Sequence, residues 1–334
     1  MHTAYSAITG AIKHGAISHV SLFTTFNLVF TVQQLAHSKN QNQATAMKIT
    51  KLGIHDKLPL TCSRTGTCCH GKLVQLNPWE LVTLAREKKI TPREFRDTYC
   101  EFGGIRLRFN GEVGWKDQQA CSQYIPNFGC SVHLGRPLSC RLYPLGRQIQ
   151  SGEVHYIYQG EQFPCLEGCP EVSDLPHLTV EKYLEGQNSG KFEKAQDAYL
   201  DMMENLADMA FALLLDTGLA QSGDRETLQQ WWTMGNETPE ALTARVGTEW
   251  IDALMLPDIS DEPEDPFLFA QKHNELLQLK AQEKFGAVET NKELHEASVL
   301  LMGVALHLAR ALGADPKGLA EHWVDTAKKH GAQE

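Results

Sequence analysis

Nine cysteines, all between Cys62 and Cys169, restrict what this chain can fold into more than any other feature. The chain runs to residue 334, yet the long stretch beyond Cys169 has no cysteine at all. Disulfide scaffolds are short secreted chains with cysteine throughout. Crowding into one third of a long chain points instead to thiolates that ligate metal in a reduced, cytoplasmic protein. A disulfide-bonded exported protein is the opposing reading.

Thiolates are soft anionic donors, and sets of four suit both zinc and iron–sulfur clusters. The paired Cys-x2-Cys of a zinc ribbon is missing. Cys68 and Cys69 are adjacent, and neighbouring side chains tend to diverge. Either they serve two centres, or one ligates while the other is spare. Cys165-x3-Cys169-Pro170 matches the end of a bacterial ferredoxin run without the cysteines that precede it there. Cys121, Cys130 and Cys140 stand in a loop rich in Gly and Pro. Arg136, Arg141 and Arg147 lie close to Cys140, placed to neutralise a four-thiolate centre or donate hydrogen bonds to its sulfurs. Pairing with surface carboxylates is their other reading. His70 and His133 are candidate ligands or donors to a ligand, and equally ordinary loop histidines. Cys100, at an expected helix end, reads as a buried thiol.

Taken together, Cys62…Cys68-Cys69, Leu76-Asn77-Pro78-Trp79-Glu80, Cys121…Cys130 and Arg136-Pro137-x2-Cys140-Arg141-x-Tyr143-Pro144 resemble the cysteine-cluster family with a zinc- or iron-chelating domain. Flagellin lysine N-methylase is similar to members of that family. The resemblance covers about residues 58–172. It implies metal or iron–sulfur binding by Cys62, Cys68, Cys69, Cys121, Cys130, Cys140 and the Cys165/Cys169 pair. The expected cofactor is an iron–sulfur cluster of the 4Fe–4S type, or zinc. The methylase relative adds S-adenosylmethionine and a protein lysine substrate as an alternative, and a zinc-stapled interaction protein is the third. One departure stands out: the family commonly places a further cysteine between Cys62 and Cys68, and Arg64 to Thr67 supply none.

The rest of the chain predicts an α+β protein. Asn77-Pro78-Trp79-Glu80 and Thr91-Pro92-Arg93-Glu94 carry the cap, proline and acid of helix starts. Ile105–Phe109 alternates apolar and basic residues ahead of Asn110-Gly111, which predicts a hairpin returning through Val113 and Trp115. A second hairpin is expected around Ser151-Gly152. Helical periodicity then takes over. Tyr199, Met202, Met203, Leu206, Met209, Ala210, Leu213 and Leu214 form one stripe, read as core. Further helices are expected from Thr238-Pro239 and Asp315-Pro316, across Phe267–Phe285 and across Asn291–Leu312. The five acidic residues between Asp258 and Asp265 read as an exposed linker.

These signals divide the chain into a poorly ordered leader (1–46), a small loop-rich cysteine-cluster domain with short hairpins and helices (47–177), and a mostly α-helical domain (178–334). Translation from Met47 is a further possibility for the leader. The apolar run Val20–Val32 is too short and too broken by Asn and Thr to span a membrane. A net charge of −10 argues against nucleic-acid or anionic-membrane binding. A protein partner remains open. Neither a nucleotide-binding loop nor an internal repeat is present.

Overall fold

A computed structural model describes residues 27–30, 50–58, 66–150, 152–158, 174–215, 224–259 and 264–332. The chain divides into two compact units, Thr25–Glu193 and one built on Lys194–Glu334. Small antiparallel sheets lie in the first and helices fill the second, an α+β architecture.

Strand β1 (Asn27–Phe30), inside the stretch expected as a leader, and strand β2 (Thr50–Leu52) open the first unit. Helix α1 (Pro78–Lys88) begins as its sequence predicts. The Asn77 side chain accepts from the Glu80 amide at 2.9 Å, and the Glu80 carboxylate accepts from the Asn77 amide at 3.1 Å. This reciprocal cap satisfies amides that a helix start otherwise leaves open. Thr91 caps α2 (Pro92–Tyr99) by accepting from the Glu94 amide at 3.1 Å. Strands β3 (Cys100–Glu101) and β4 (Arg106–Leu107) then pair antiparallel.

The hairpin predicted at Asn110-Gly111 does not form. Past Leu107 the chain stays extended alongside residues 120–122. The Arg108 carbonyl accepts from the Ser122 amide at 2.9 Å, and the Gly111 amide donates to the Ala120 carbonyl at 2.9 Å. Reversal comes later, at Gly114–Gln118, through a 3-10 turn over Trp115–Asp117. Glycine is required there by contact: a Cβ on Gly114 would sit 2.4 Å from His70 Nε2. The alternating pattern marked a real extended segment, which turns back on residues 119–122 a few positions later than read.

Strands β5 (Tyr124–Ile125) and β6 (Gly129–Cys130) make a second two-stranded sheet, and α3 (Leu138–Leu142) is a single helical turn. The other predicted hairpin is as expected. Strands β7 (Leu145–Gln150) and β8 (Glu153–Tyr158) pair from Leu145↔Tyr158 to Gln150↔Glu153. Their turn holds Gly152 at φ 79°, a left-handed conformation that suits glycine. The sheet order is β1-β7-β8-β2. Helix α4 (Val180–Gln187), capped by Thr179, follows in the same unit.

The unit boundary falls within α5 (Gly190–Leu215). Its predicted stripe from Tyr199 to Leu214 is core, each of the eight side chains being 2% exposed or less. Helices α6 (Asp224–Asn236), α7 (Pro239–Val246), α8 (Thr248–Met255), α9 (Pro266–Phe285), α10 (Asn291–Ala311) and α11 (Pro316–Lys329) complete the second unit. The starts at Thr238 and Asp315 are as predicted; Asp315 accepts from the Lys317 amide at 3.1 Å. Within the expected acidic linker, residues 260–263 lie outside the described residues.

Close approach of α6 and α11 depends on Gly235. A Cβ there would meet the Ala320 Cβ at 2.4 Å and the Pro316 carbonyl at 2.8 Å. Two histidines are sealed in this unit. His273 is held by Tyr199 Oη at 3.1 Å and the Ala253 carbonyl at 3.0 Å, and burial pushes it down to about 4. His307 is 0% exposed, neither ring nitrogen has a hydrogen-bond partner, and burial with Arg310 nearby pushes it down to about 3. Among the described residues no helix is long and apolar enough to cross a membrane.

Candidate metal centre

Four short segments carry the described cysteines of the loop region to one place. Cys68 and Cys69 end a 3-10 turn that starts from Gly66, whose φ of 84° lets the chain pass close to the Tyr124 ring. The Cys121 amide donates to the Cys69 carbonyl at 2.8 Å, which fixes those two backbones side by side. Cys130 lies on β6, opposite Tyr124 of β5. Cys140 sits inside α3, its amide donating to the Pro137 carbonyl at 2.9 Å. All five of these residues line one cavity of about 110 Å3.

Two buried charged residues hold the Cys140 turn against the rest. Glu80, already part of the α1 cap, also accepts from the Leu138 amide at 2.6 Å. Burial pushes its carboxyl up to about 7, against the pull of those amides and of Arg141. Lys72, only 3% exposed, donates to the Ser139 carbonyl at 2.8 Å and lies over the Tyr143 ring at 4.9 Å. It also lines the cavity.

The arginines near Cys140 take different places. Arg136 lines the cavity, donating to the His133 carbonyl at 2.8 Å and to Gln187 Oε1 at 2.7 Å. Arg141 directs its guanidinium at carbonyls: Arg136 and Gln187, each at 2.8 Å, and Leu134. It stacks on Phe192, 3.7 Å from the ring centroid. Its role is to clamp backbone. Arg147 is on β7 beside Tyr156, whose hydroxyl donates to Glu193 at 2.8 Å.

His133 is part of the cavity wall. His70 is not. Its backbone bridges Ala120, and its ring lies edge-on to Tyr124 at 5.0 Å. Nδ1 of His70 is buried there without a partner. Cys100 is buried at the start of β3, off the cavity wall, and burial pushes its thiol up. Cys62, Cys165 and Cys169 lie outside the described residues.

The thiols feel one another. The Cys69 thiol donates to the Cys68 sulfur, which lowers Cys68 and raises Cys69, and Lys72 adds to the lowering of Cys68. Burial pushes Cys121 up to about 12, with the charges of Cys140 and Cys130 adding to it. Cys130 is pushed up to about 11 by burial and by Cys140, and Cys140 is raised by burial and by Cys68. A set of buried thiols that resist joint ionisation is what a cation would relieve, because metal binding displaces those protons. Among the described residues no three Cys, His, Asp or Glu side chains converge tightly enough to hold an ion. The five thiols ring an open space, and their donor chemistry fits zinc or an iron–sulfur cluster.

Sequence reading singled out the cysteines and Arg136, and it missed Lys72 and the second task of Glu80. Lys72 shows in the sequence only as a lone basic residue before the apolar Leu73–Leu76. Glu80 shows as an ordinary helix-start acid.

Comparison with known families agrees with the cysteines. Residues 61–160 match the family described as "Putative zinc- or iron-chelating domain", which supports metal binding by this segment. The pattern in the family's title, Cys-x2-Cys-x2-Cys-Cys, runs here as Cys62-x2-Thr65-x2-Cys68-Cys69, so Thr65 stands at the position of the missing cysteine. No curated protein and no solved structure matches the chain.

Proposed function

With residues 61–160 in the cysteine-cluster family, we propose that the first unit binds an iron–sulfur cluster through Cys68, Cys69, Cys121, Cys130 and Cys140, four at a time or with one held in reserve. Cys62, Cys165 and Cys169 are further candidate ligands. The observation that carries this reading is that five cysteines from four separate segments line one cavity. Its room of about 110 Å3 exceeds several times the ~30 Å3 share of a single water, which favours a multi-atom cluster over one bare ion.

A bound cluster would supply one-electron chemistry or a structural staple. The chain's own residues orient the sulfurs: Glu80 anchors the Cys140 turn, the Cys69–Cys121 backbone bond sets two of the donors, and Val74, Leu107 and Val132 keep part of the wall apolar. The test is anaerobic purification of the full chain with iron, acid-labile sulfide and zinc assays and a visible spectrum. Iron and sulfide in comparable amounts support the cluster. Stoichiometric zinc without sulfide replaces it by the zinc reading, and protein that takes up neither metal ends both.

A further inference from the structure

The cavity contains a charge that no cysteine pattern accounts for. Lys72 enters from the segment just after Cys69 and is 3% exposed, although lysine is almost never buried without an anionic or carbonyl partner. It donates to the Ser139 carbonyl at 2.8 Å, one residue from Cys140, and its alkyl-ammonium lies across the Tyr143 ring. An ammonium can donate three hydrogen bonds. Lys72 lines the same cavity as Cys68, Cys121 and Cys140, thiols from three different segments. Glu80, the buried carboxylate of this region, is engaged by the Leu138 and Asn77 amides.

A divalent ion or a cluster core leaves a set of four thiolates with net negative charge, and excess charge in a poorly solvated site is costly. Arg141 commits its donors to backbone carbonyls, and Arg147 is placed on β7 beside Tyr156; neither lines the cavity. Arg136 also lines the cavity and brings a second positive charge to it, but its donors go to the His133 carbonyl and Gln187. We propose that Lys72 is the built-in counter-charge of the centre: its buried ammonium, fixed by the Ser139 carbonyl, stabilises the anionic metal–thiolate set formed by Cys68, Cys121 and Cys140. The inference rests on the metal-binding reading above. Lys72 acts through the sulfurs and touches no metal, so it is a positioning residue.

The experiment uses the full chain, stripped of metal under reducing anaerobic conditions and titrated with cobalt(II) against a competing chelator at neutral pH. Lys72→Arg keeps the charge, and Lys72→Gln keeps a donor for Ser139 without it. Should Lys72→Gln fail to fold by circular dichroism, Lys72→Met, of similar length, takes its place. Affinity should fall about tenfold in the uncharged variant, since unit charges ~10 Å apart at an effective dielectric of ~20 already carry that much. The thiolate-to-cobalt band should move to lower energy, because sulfurs relieved of a nearby cation give up charge more readily. Lys72→Arg should retain both values. Equal affinity and an unmoved band in the uncharged variant overturn the role of Lys72 while leaving metal binding intact. Failure of the unaltered protein to take cobalt is a different result, which overturns the metal reading and this inference with it.

Discussion

Replacing His307 by Leu should make the protein more stable, by an amount that grows in acid. His307 is 0% exposed in α10 and both its ring nitrogens are without partners. A buried polar group left unpaired costs about 1–3 kcal/mol, so a leucine of similar volume should gain about 2 kcal/mol at pH 7. The pH dependence follows from burial. The folded value is pushed down to about 3 from an unfolded 6.5, so below 6.5 the unfolded chain binds a proton that the folded chain refuses. Stability from the neutral ring is therefore complete above about 6.5 and is lost as pH falls toward 3. At pH 5 the loss is about 1.5 pH units at 1.36 kcal/mol each, or ~2 kcal/mol. The Leu variant lacks that loss, so its advantage should widen from about 2 kcal/mol at pH 7 to about 4 at pH 5. Glu204 and Asp208 on α5, pushed up to about 7 and 6, pull the other way in the whole-protein profile. They are present in both proteins, so the difference removes them. Urea unfolding read by tryptophan fluorescence at the two pH values is the assay; Trp231 and Trp323 are both buried in this unit. A less stable variant, or an advantage that does not change with pH, would refute the reasoning.

Three further expectations concern the frame around the site and the close-packed helices. Glu80→Ala should cost roughly 2–4 kcal/mol, because the Leu138 and Asn77 amides both lose a buried acceptor, and Glu80→Gln should recover part of it. Thermal unfolding gives the cost, and an unchanged midpoint in Glu80→Ala would show that this carboxylate holds nothing. Gly235→Ala should cost about 1–3 kcal/mol, since the new Cβ meets Ala320 at 2.4 Å and the Pro316 carbonyl at 2.8 Å; a neutral result in chemical denaturation would mean that α6 and α11 part freely. Stripping metal with a chelator should speed amide exchange in peptides covering 67–72 and 121–141, where thiols and backbone bonds share the same residues. Identical exchange with and without chelator would count against a metal that holds this region.

What the sequence displayed and what it hid separate along the length scale of the interaction. Helix starts at Asn77, Thr91, Thr238 and Asp315 are decided within four residues, by a cap oxygen and a proline, and each is as read. The stripe on α5 was legible because helical spacing alone assigns its buried face. The Asn110-Gly111 turn was misread because its outcome depends on backbone bonds to residues 120–122 and a ring at His70, which no local pattern shows. The cysteines announced a metal-binding region by type and crowding. Lys72 gave no such signal: its burial is set by Ser139 and Tyr143, about seventy positions away. Nor did any local pattern show that the Arg141 guanidinium donates to the Gln187 carbonyl, forty-six positions on.

The Arg141 clamp has a consequence for where this domain ends. Its guanidinium reaches forward to the Gln187 carbonyl at 2.8 Å and stacks on Phe192, while Tyr183 donates its hydroxyl to the Tyr143 carbonyl and Arg136 donates to Gln187. These partners lie beyond residue 160, where the match to the family stops. A fragment cut at that point would keep every cysteine from Cys62 to Cys140 and yet strip Arg141 of the Gln187 carbonyl and the Phe192 ring. The recognisable signature is thus shorter than the piece of chain that can stand by itself. Anyone transplanting this cysteine cluster into another protein would have to carry the helix Val180–Gln187 and Phe192 along with it, or supply a substitute for the carbonyls and the ring they bring.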